Sequence, residues 1–248
     1  ERANSPAARA RKLSSLKGFY KYLCTKMKLI RVNPTDDVGI PAQKKRLPKY
    51  LSLKEGTELL QSVQSDFYER DYCMITLFLN CGMRLSELVN INVTDIQDDG
   101  TIRIIGKGDK ERLVYLNEAC VKALTRLCDE RRKLPNLQDD KALFVSKKTG
   151  KRLSARRVQQ IVEGCLRAAG LSGKGYSTHK LRHTAATMMY QEGHVDMLAL
   201  KEILGHAHVS TTEIYTHLGA AQLKEAAKAS PFAKMDFEHP PAAQETDG

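Results

Sequence analysis

No two cysteines in this sequence stand at C-x-x-C spacing, although Cys24, Cys73, Cys81, Cys120, Cys128 and Cys165 make six in all. Most of them fall in apolar helical patterns, so they are expected as reduced core residues and not as a metal or redox motif. No apolar run approaches the length of a bilayer span, and no hydrophobic stretch followed by small residues opens the chain. On that reading a cytoplasmic protein is expected. Internal repeats and low-complexity blocks are missing as well. The first residue is not Met, which leads to the expectation of a fragment or a processed product.

Acidic residues are scarce at the N-terminal end. Residues 1–50 hold thirteen Lys and Arg against Glu1, Asp36 and Asp37, a net +10 of the +11 carried by the whole chain. Exposed Lys and Arg displace counterions condensed on phosphate backbones, so polyanions are the natural partners. A localised basic segment suits a DNA-contacting arm, and a disordered basic tail would give the same count. With 248 residues, 42% of them hydrophobic, the chain is long enough to bury a real core.

Apolar residues at alternating three- and four-residue spacings (Leu13, Leu16, Tyr20, Leu23, Met27, Ile30) predict an amphipathic helix over 7–30. Pro34, Pro41 and Pro48 then enclose Lys44, Lys45 and Arg46, an extended basic linker over 34–49 that contacts DNA in this reading. Ser52 and Glu55 form a capping box for a helix to about Val63, and a second helix is expected over Tyr68–Cys81. A turn at Gly82 leads to a short helical segment ending at Asn90. Two β-branched runs, from Thr101 and from Arg112, flank the loop beginning Gly106-Lys-Gly and read as a β-hairpin. Helices follow near 117–133, 154–169, 178–191 and 196–204, the last three opened by Ser154, Thr178 and Asp196. Ser210 and Glu213 make another capping box ahead of Tyr215, and the polar, proline-bearing tail over 231–248 is expected to fray. The fold class is therefore mainly α with a small antiparallel sheet.

Several polar residues invite a chemical reading. His179 and Arg182 lie three apart on one helical face, which lets an imidazole and a guanidinium converge on one anion; pairs at this spacing are also commonly just solvated. Gly205 is placed to stop a helix and present His206 beyond it. Tyr215 has polar neighbours Thr211, Thr212, Glu213 and Thr216, although a lone helical tyrosine is more often a packed core residue. Arg84 sits in a turn among apolar residues, where a half-buried guanidinium needs an acidic or phosphate partner, and Glu87 is the local brace. Lys107 stands between Gly106 and Gly108, small residues that allow close approach to a backbone, or simply a soluble turn.

In order along the chain, Gly-x-Arg-x-Ser-Glu-Leu, Gly-Lys-Gly-x-Lys-x-Arg, His-x-Leu-Arg-His, Leu-Gly-His and Tyr-Thr-His resemble the catalytic domain of tyrosine recombinases, particularly the bacterial Xer type and related integrases, over roughly residues 48–230. The resemblance implies a tyrosine-recombinase-type catalytic domain over 50–230, with Arg84, Lys107, His179, Arg182 and His206 around a phosphate and Tyr215 as nucleophile. It implies that residues 1–33 are the C-terminal helix of a truncated core-binding domain that closes around DNA. Double-stranded DNA, a homo-oligomer forming a tetramer on synapsed DNA, and a C-terminal helix over 219–232 exchanged between protomers are further expectations. Intramolecular packing of that helix remains open. No cofactor and no metal are expected, because a guanidinium pair neutralises the charge that metal ions neutralise elsewhere. A metal site built on His179 and His183 is disfavoured by Arg182 on the same face, which would repel a cation. A type IB topoisomerase and a non-catalytic DNA-binding regulator are the other functional readings.

Overall fold

Side-chain caps set most of the helix starts. The computed structural model describes residues 4–41, 49–105, 111–205 and 220–237, and the chain divides into two compact units, 1–48 and 49–248. In the first unit, α1 (Pro6–Thr25) opens at Ser5, whose hydroxyl accepts the Ala8 N–H at 3.2 Å, with Pro6 at the first helical position. The helix is shorter than its apolar spacing predicts. It stops at Thr25 and Lys28 takes a positive φ of 53°, so Met27 and Ile30 leave the helical stripe.

In the second unit, Ser52 and Glu55 form the capping box of α2 (Leu53–Gln61). The next helix, α3 (Tyr68–Cys81), is buried along nearly its whole length, which makes it the central strut against which α5 and α7 pack. After α4 (Leu85–Asn90), a single 3-10 turn at Val93–Asp95 leads into β1 (Ile96–Gln97), β2 (Thr101–Ile105) and β3 (Glu111–Tyr115). The three strands form one antiparallel sheet in the order β1-β2-β3, with Thr101 opposite Tyr115 and Ile105 opposite Glu111. The β2–β3 hairpin is the one its β-branched runs predict, and β1 is an addition to it. Four helices complete the catalogue among the described residues before the last: α5 (Glu118–Arg132) opened by Asn117, α6 (Ala155–Ala168) by Ser154, α7 (Thr178–Gln191), and α8 (Met197–Leu204) by Asp196. The last is α9 (Ala220–Lys228). The architecture is mainly α with a small antiparallel sheet, and no described helix is long and apolar enough to cross a membrane.

Two expectations change. The N-cap of α7 is Ser177, in extended backbone and without a side-chain cap bond; Thr178 is already helical and buried. The tail does not fray from residue 231. Phe232 is fully buried, and its ring lies where any Cβ on Gly56 would be, 2.5 Å away. Ala233 O accepts the Ala119 N–H at 3.0 Å, Asp236 pairs with Arg126 at 2.6 Å, and Phe237 N–H donates to the Tyr72 hydroxyl at 2.9 Å. One aromatic anchor and one ion pair hold the chain through 237.

The core is one large cluster centred on α3 and a smaller one joining the end of α7 to α8 and α9, which includes Met189, Leu200, Leu204 and Leu223. The cysteines are all free thiols, four of them buried. Burial pushes the Cys73 and Cys120 thiols well up, which keeps them protonated and inert.

Candidate active site

The last carbonyls of a helix have no partner within it, and the aligned peptide dipoles gather partial negative charge there. At the end of α8, three guanidiniums from three separate elements take three successive carbonyls. Arg112 Nη1 donates to Ile203 O at 2.6 Å, Arg182 Nη2 to Leu204 O at 2.6 Å, and Arg84 Nη2 to Gly205 O at 2.9 Å. Gly205 closes the helix in the left-handed region, φ 64° and ψ 49°. Even in an ordinary conformation a side chain there would collide with Arg112, whose Cδ lies 2.7 Å from the position of a Cβ.

Local sequence explains how each arginine arrives. Gly82 ends α3 with φ 57° and turns the chain so that Arg84 becomes the N-cap of α4. Glu87, one turn into α4, reaches back: Oε2 accepts the Arg84 backbone N–H at 2.8 Å and Oε1 accepts Arg84 Nη1 at 2.6 Å. Arg182 projects from α7 and donates through Nη1 to Gly82 O as well, tying the turn to the end of α8. Arg112 sits on β3, where its Nη2 meets Glu87 Oε2 at 2.9 Å.

Charge here is unbalanced. Among the described residues, three guanidiniums gather around one carboxylate, and that carboxylate is buried while the Arg84 side chain remains 42% exposed. Burial pushes the Glu87 pKa upward, but the charge of Arg112 and the bonds from Arg84 prevail and hold it below the usual carboxylate range. Burial, and then the neighbouring Arg84 charge, push Arg182 down to about 10. A buried guanidinium so placed, crowded by like charge, favours an anionic partner. The arrangement is suited to binding an anion such as a phosphate, with Arg84 on the open side.

The structure brings together Arg84, Glu87 and Arg182. His179 is exposed one turn before Arg182 on α7, and the half-buried His183 packs edge-on to Tyr50 with ring centroids 6.1 Å apart. Lys107, His206 and Tyr215 lie outside the described residues, as do Lys44, Lys45 and Arg46 of the linker. Among the described residues no group of three or more His, Cys, Asp or Glu is placed to hold a metal ion. Sequence reasoning passed over Arg112 as a site residue. The signal was present in the strand period: Arg112 alternates with the buried Val114, whereas Leu113 between them is 45% exposed, so a charge occupies an inward position that an apolar residue would ordinarily fill.

Residues 49–222 match the phage integrase family. The chain is 52% identical over 234 residues to tyrosine recombinase XerC of Caldanaerobacter subterraneus subsp. tengcongensis, covering 94% of this chain and 65% of that protein. It is 36% identical to tyrosine recombinase XerC of Thermodesulfovibrio yellowstonii, covering 92% of this chain and 77% of that protein. Among solved structures, the XerH site-specific recombinase bound to palindromic difH substrate in a post-cleavage complex superposes with a TM-score of 0.68 at 29% identity, over 90% of this chain and 67% of that one.

Proposed function

The chain belongs to the phage integrase family, and we propose on that footing that it is a site-specific DNA recombinase that cuts and rejoins strands through a 3′-phosphotyrosyl link, with Tyr215 as nucleophile. The observation that carries the reading is the surplus of guanidinium charge at the end of α8, a ready seat for one phosphodiester. The phenolic oxygen of Tyr215 attacks phosphorus, the bond to the 5′-oxygen breaks, and a free 5′-hydroxyl leaves. The phosphodiester energy is kept in the new bond, so a 5′-hydroxyl from another strand reverses the step without ATP.

A phenol with a pKa of about 10 is scarcely ionised at neutral pH, and His179 accepts its proton. Arg84, Arg182 and His206 hold the nonbridging oxygens, where negative charge builds in the transition state. Lys107 supplies the proton to the leaving 5′-oxygen. No metal or cofactor enters these steps. Lys44, Lys45 and Arg46 contact the DNA backbone, and α1, within the segment 1–33, belongs to a core-binding domain that closes around the duplex. Exchange between two duplexes cuts four strands, one tyrosine for each, which supports a tetramer on synapsed DNA. Within one chain α9 packs against α8 and buries Leu223 and Ala227, and exchange of this segment between protomers would seat the same apolar face on a neighbour.

A nicked suicide duplex, which loses its short 5′-hydroxyl product and prevents religation, tests the reading. The unmodified chain should accumulate a covalent protein–DNA complex, and Tyr215→Phe should accumulate none. Equal trapping by both would remove Tyr215 as nucleophile.

A further inference from the structure

We infer that Arg112 is a positioning residue for strand cleavage: its guanidinium joins β3, the Glu87 carboxylate and the C-terminal end of α8 into one unit that holds Arg84 toward the phosphate. The inference deepens the recombinase reading above and rests on it.

Both Nη atoms of Arg112 are committed, one to Ile203 O at 2.6 Å and the other to Glu87 Oε2 at 2.9 Å, and only 15% of its side chain is exposed. Arg84, 42% exposed on the same carboxylate, is the member open to an incoming anion, and Arg112 reaches it through Glu87. Glu87 Oε2 is shared between Arg112 and the Arg84 backbone N–H, while Oε1 takes the Arg84 guanidinium. Losing Arg112 leaves Arg84 as the sole counter-charge of Glu87, and the net charge of the cluster falls from two to one. That removes half the surplus that meets the charge developing on the phosphate.

Stability alone does not call for an arginine here. Its Nε is buried and finds no hydrogen-bond partner among the described residues, and because Arg84 still pairs with Glu87, removing Arg112 does not strand that carboxylate. The surroundings are nevertheless shaped for it. The strand register fixes Arg112 opposite Ile104, and Gly205 leaves open the space through which its Cδ and Nε pass. A lysine keeps the charge but has no fork with which to hold a carboxylate and a carbonyl together.

The test uses the full chain and the nicked suicide duplex at saturating concentration. It measures single-turnover cleavage, apparent Kd and melting temperature for Arg112→Met and Arg112→Lys, each alone and combined with Glu87→Gln. Arg112→Met should cleave about ten- to a hundredfold more slowly, short of the about 10² to 10³ that a direct contact costs, with Kd changed by less than about twofold. Arg112→Lys should recover only part of the rate. On the Glu87→Gln background, Arg112→Met should cost less than about threefold more, because the two residues act as a unit. If Arg112→Met melts early, Arg112→Lys carries the rate comparison. Losses that multiply independently of Glu87, or a Kd that weakens as much as the rate, would overturn the inference. An unmodified chain that traps no DNA overturns the recombinase reading and this inference with it. If the unmodified chain traps DNA and Arg112→Met traps it equally fast, this inference alone falls.

Discussion

Two groups of bonded arginines occupy the larger unit, and they differ in how their charge is met. On the α3–α5 side the accounts are even. Arg70 pairs with Asp71 at 2.7 Å, donates to Val145 O and lies over the Phe67 ring, and Arg126 has two acids, Glu69 and Asp236. Arg131 is satisfied by the carbonyls of Asp139, Asp140 and Ala142. At the end of α8, Arg84, Arg112 and Arg182 also bind main-chain carbonyls, yet the one carboxylate among them, Glu87, pairs with Arg84 and Arg112 alone. Burial and carbonyl bonding are common to both groups, so neither marks a site. What sets the second group apart is positive charge in excess of its acids, a surplus that an arriving anion would meet.

The comparison is broken or sharpened by removing one arginine from each group. Arg70→Met strands Asp71, whose side chain is only 4% exposed, and should lower stability by about 3–5 kcal/mol while leaving the cleavage rate of the folded molecules unchanged. Arg182→Met should do the reverse. Cleavage should fall about 10² to 10³-fold, equivalent to about 2.7–4 kcal/mol, with less loss of stability than Arg70→Met, because removing Arg182 also relieves crowding among like charges. Urea unfolding followed by circular dichroism and single-turnover cleavage on the nicked duplex measure the two axes. A rate loss in Arg70→Met as large as in Arg182→Met would show that charge balance does not separate the groups.

Local chemistry was legible in the sequence and distant pairing was not. Ser52 with Glu55, Ser154 and Asp196 announced their helices because a cap is written within four residues, and α3 matched its apolar run from Tyr68 to Cys81. The two-residue strand β1 escaped notice because its existence depends on pairing with Ile102 and Thr101, not on its own pattern. The held tail escaped for the same reason: Phe232 meets Gly56 from the far end of the unit. Within the candidate site, Arg84 and Glu87 are three residues apart and could be paired by eye. Arg112 finds Glu87 25 residues before it and Ile203 91 residues after it, and Arg182 finds Gly82 at a separation of 100. Composition and periodicity carry no record of such partners.

The smallest expected effect concerns acid. Glu87 and Glu55 both titrate below the usual carboxylate range although burial opposes it, Glu87 through Arg112 and Arg84, Glu55 through Lys174 and the Ser52 N–H. A carboxylate depressed in the folded state contributes stability that is complete above its unfolded pKa, about 4.3 for glutamate, and that is lost as pH falls through the lower folded value. Both glutamates should therefore steepen the fall in stability on the acid side of pH 4.3, and replacing either by Gln should flatten it. Their surroundings predict different salt responses. Lys174 is half exposed at 50%, so the Glu55 contribution should shrink in about 1 M salt, where the screening length is about 3 Å. Glu87 is 3% exposed between two guanidiniums, and its contribution should persist. Urea midpoints from pH 7 to pH 3, at low and high salt, for Glu87→Gln and Glu55→Gln give the four curves needed. Equal salt sensitivity at the two positions would mean that water reaches Glu87 as freely as Glu55, and the surplus charge at the end of α8 would then be screened rather than held for an anion.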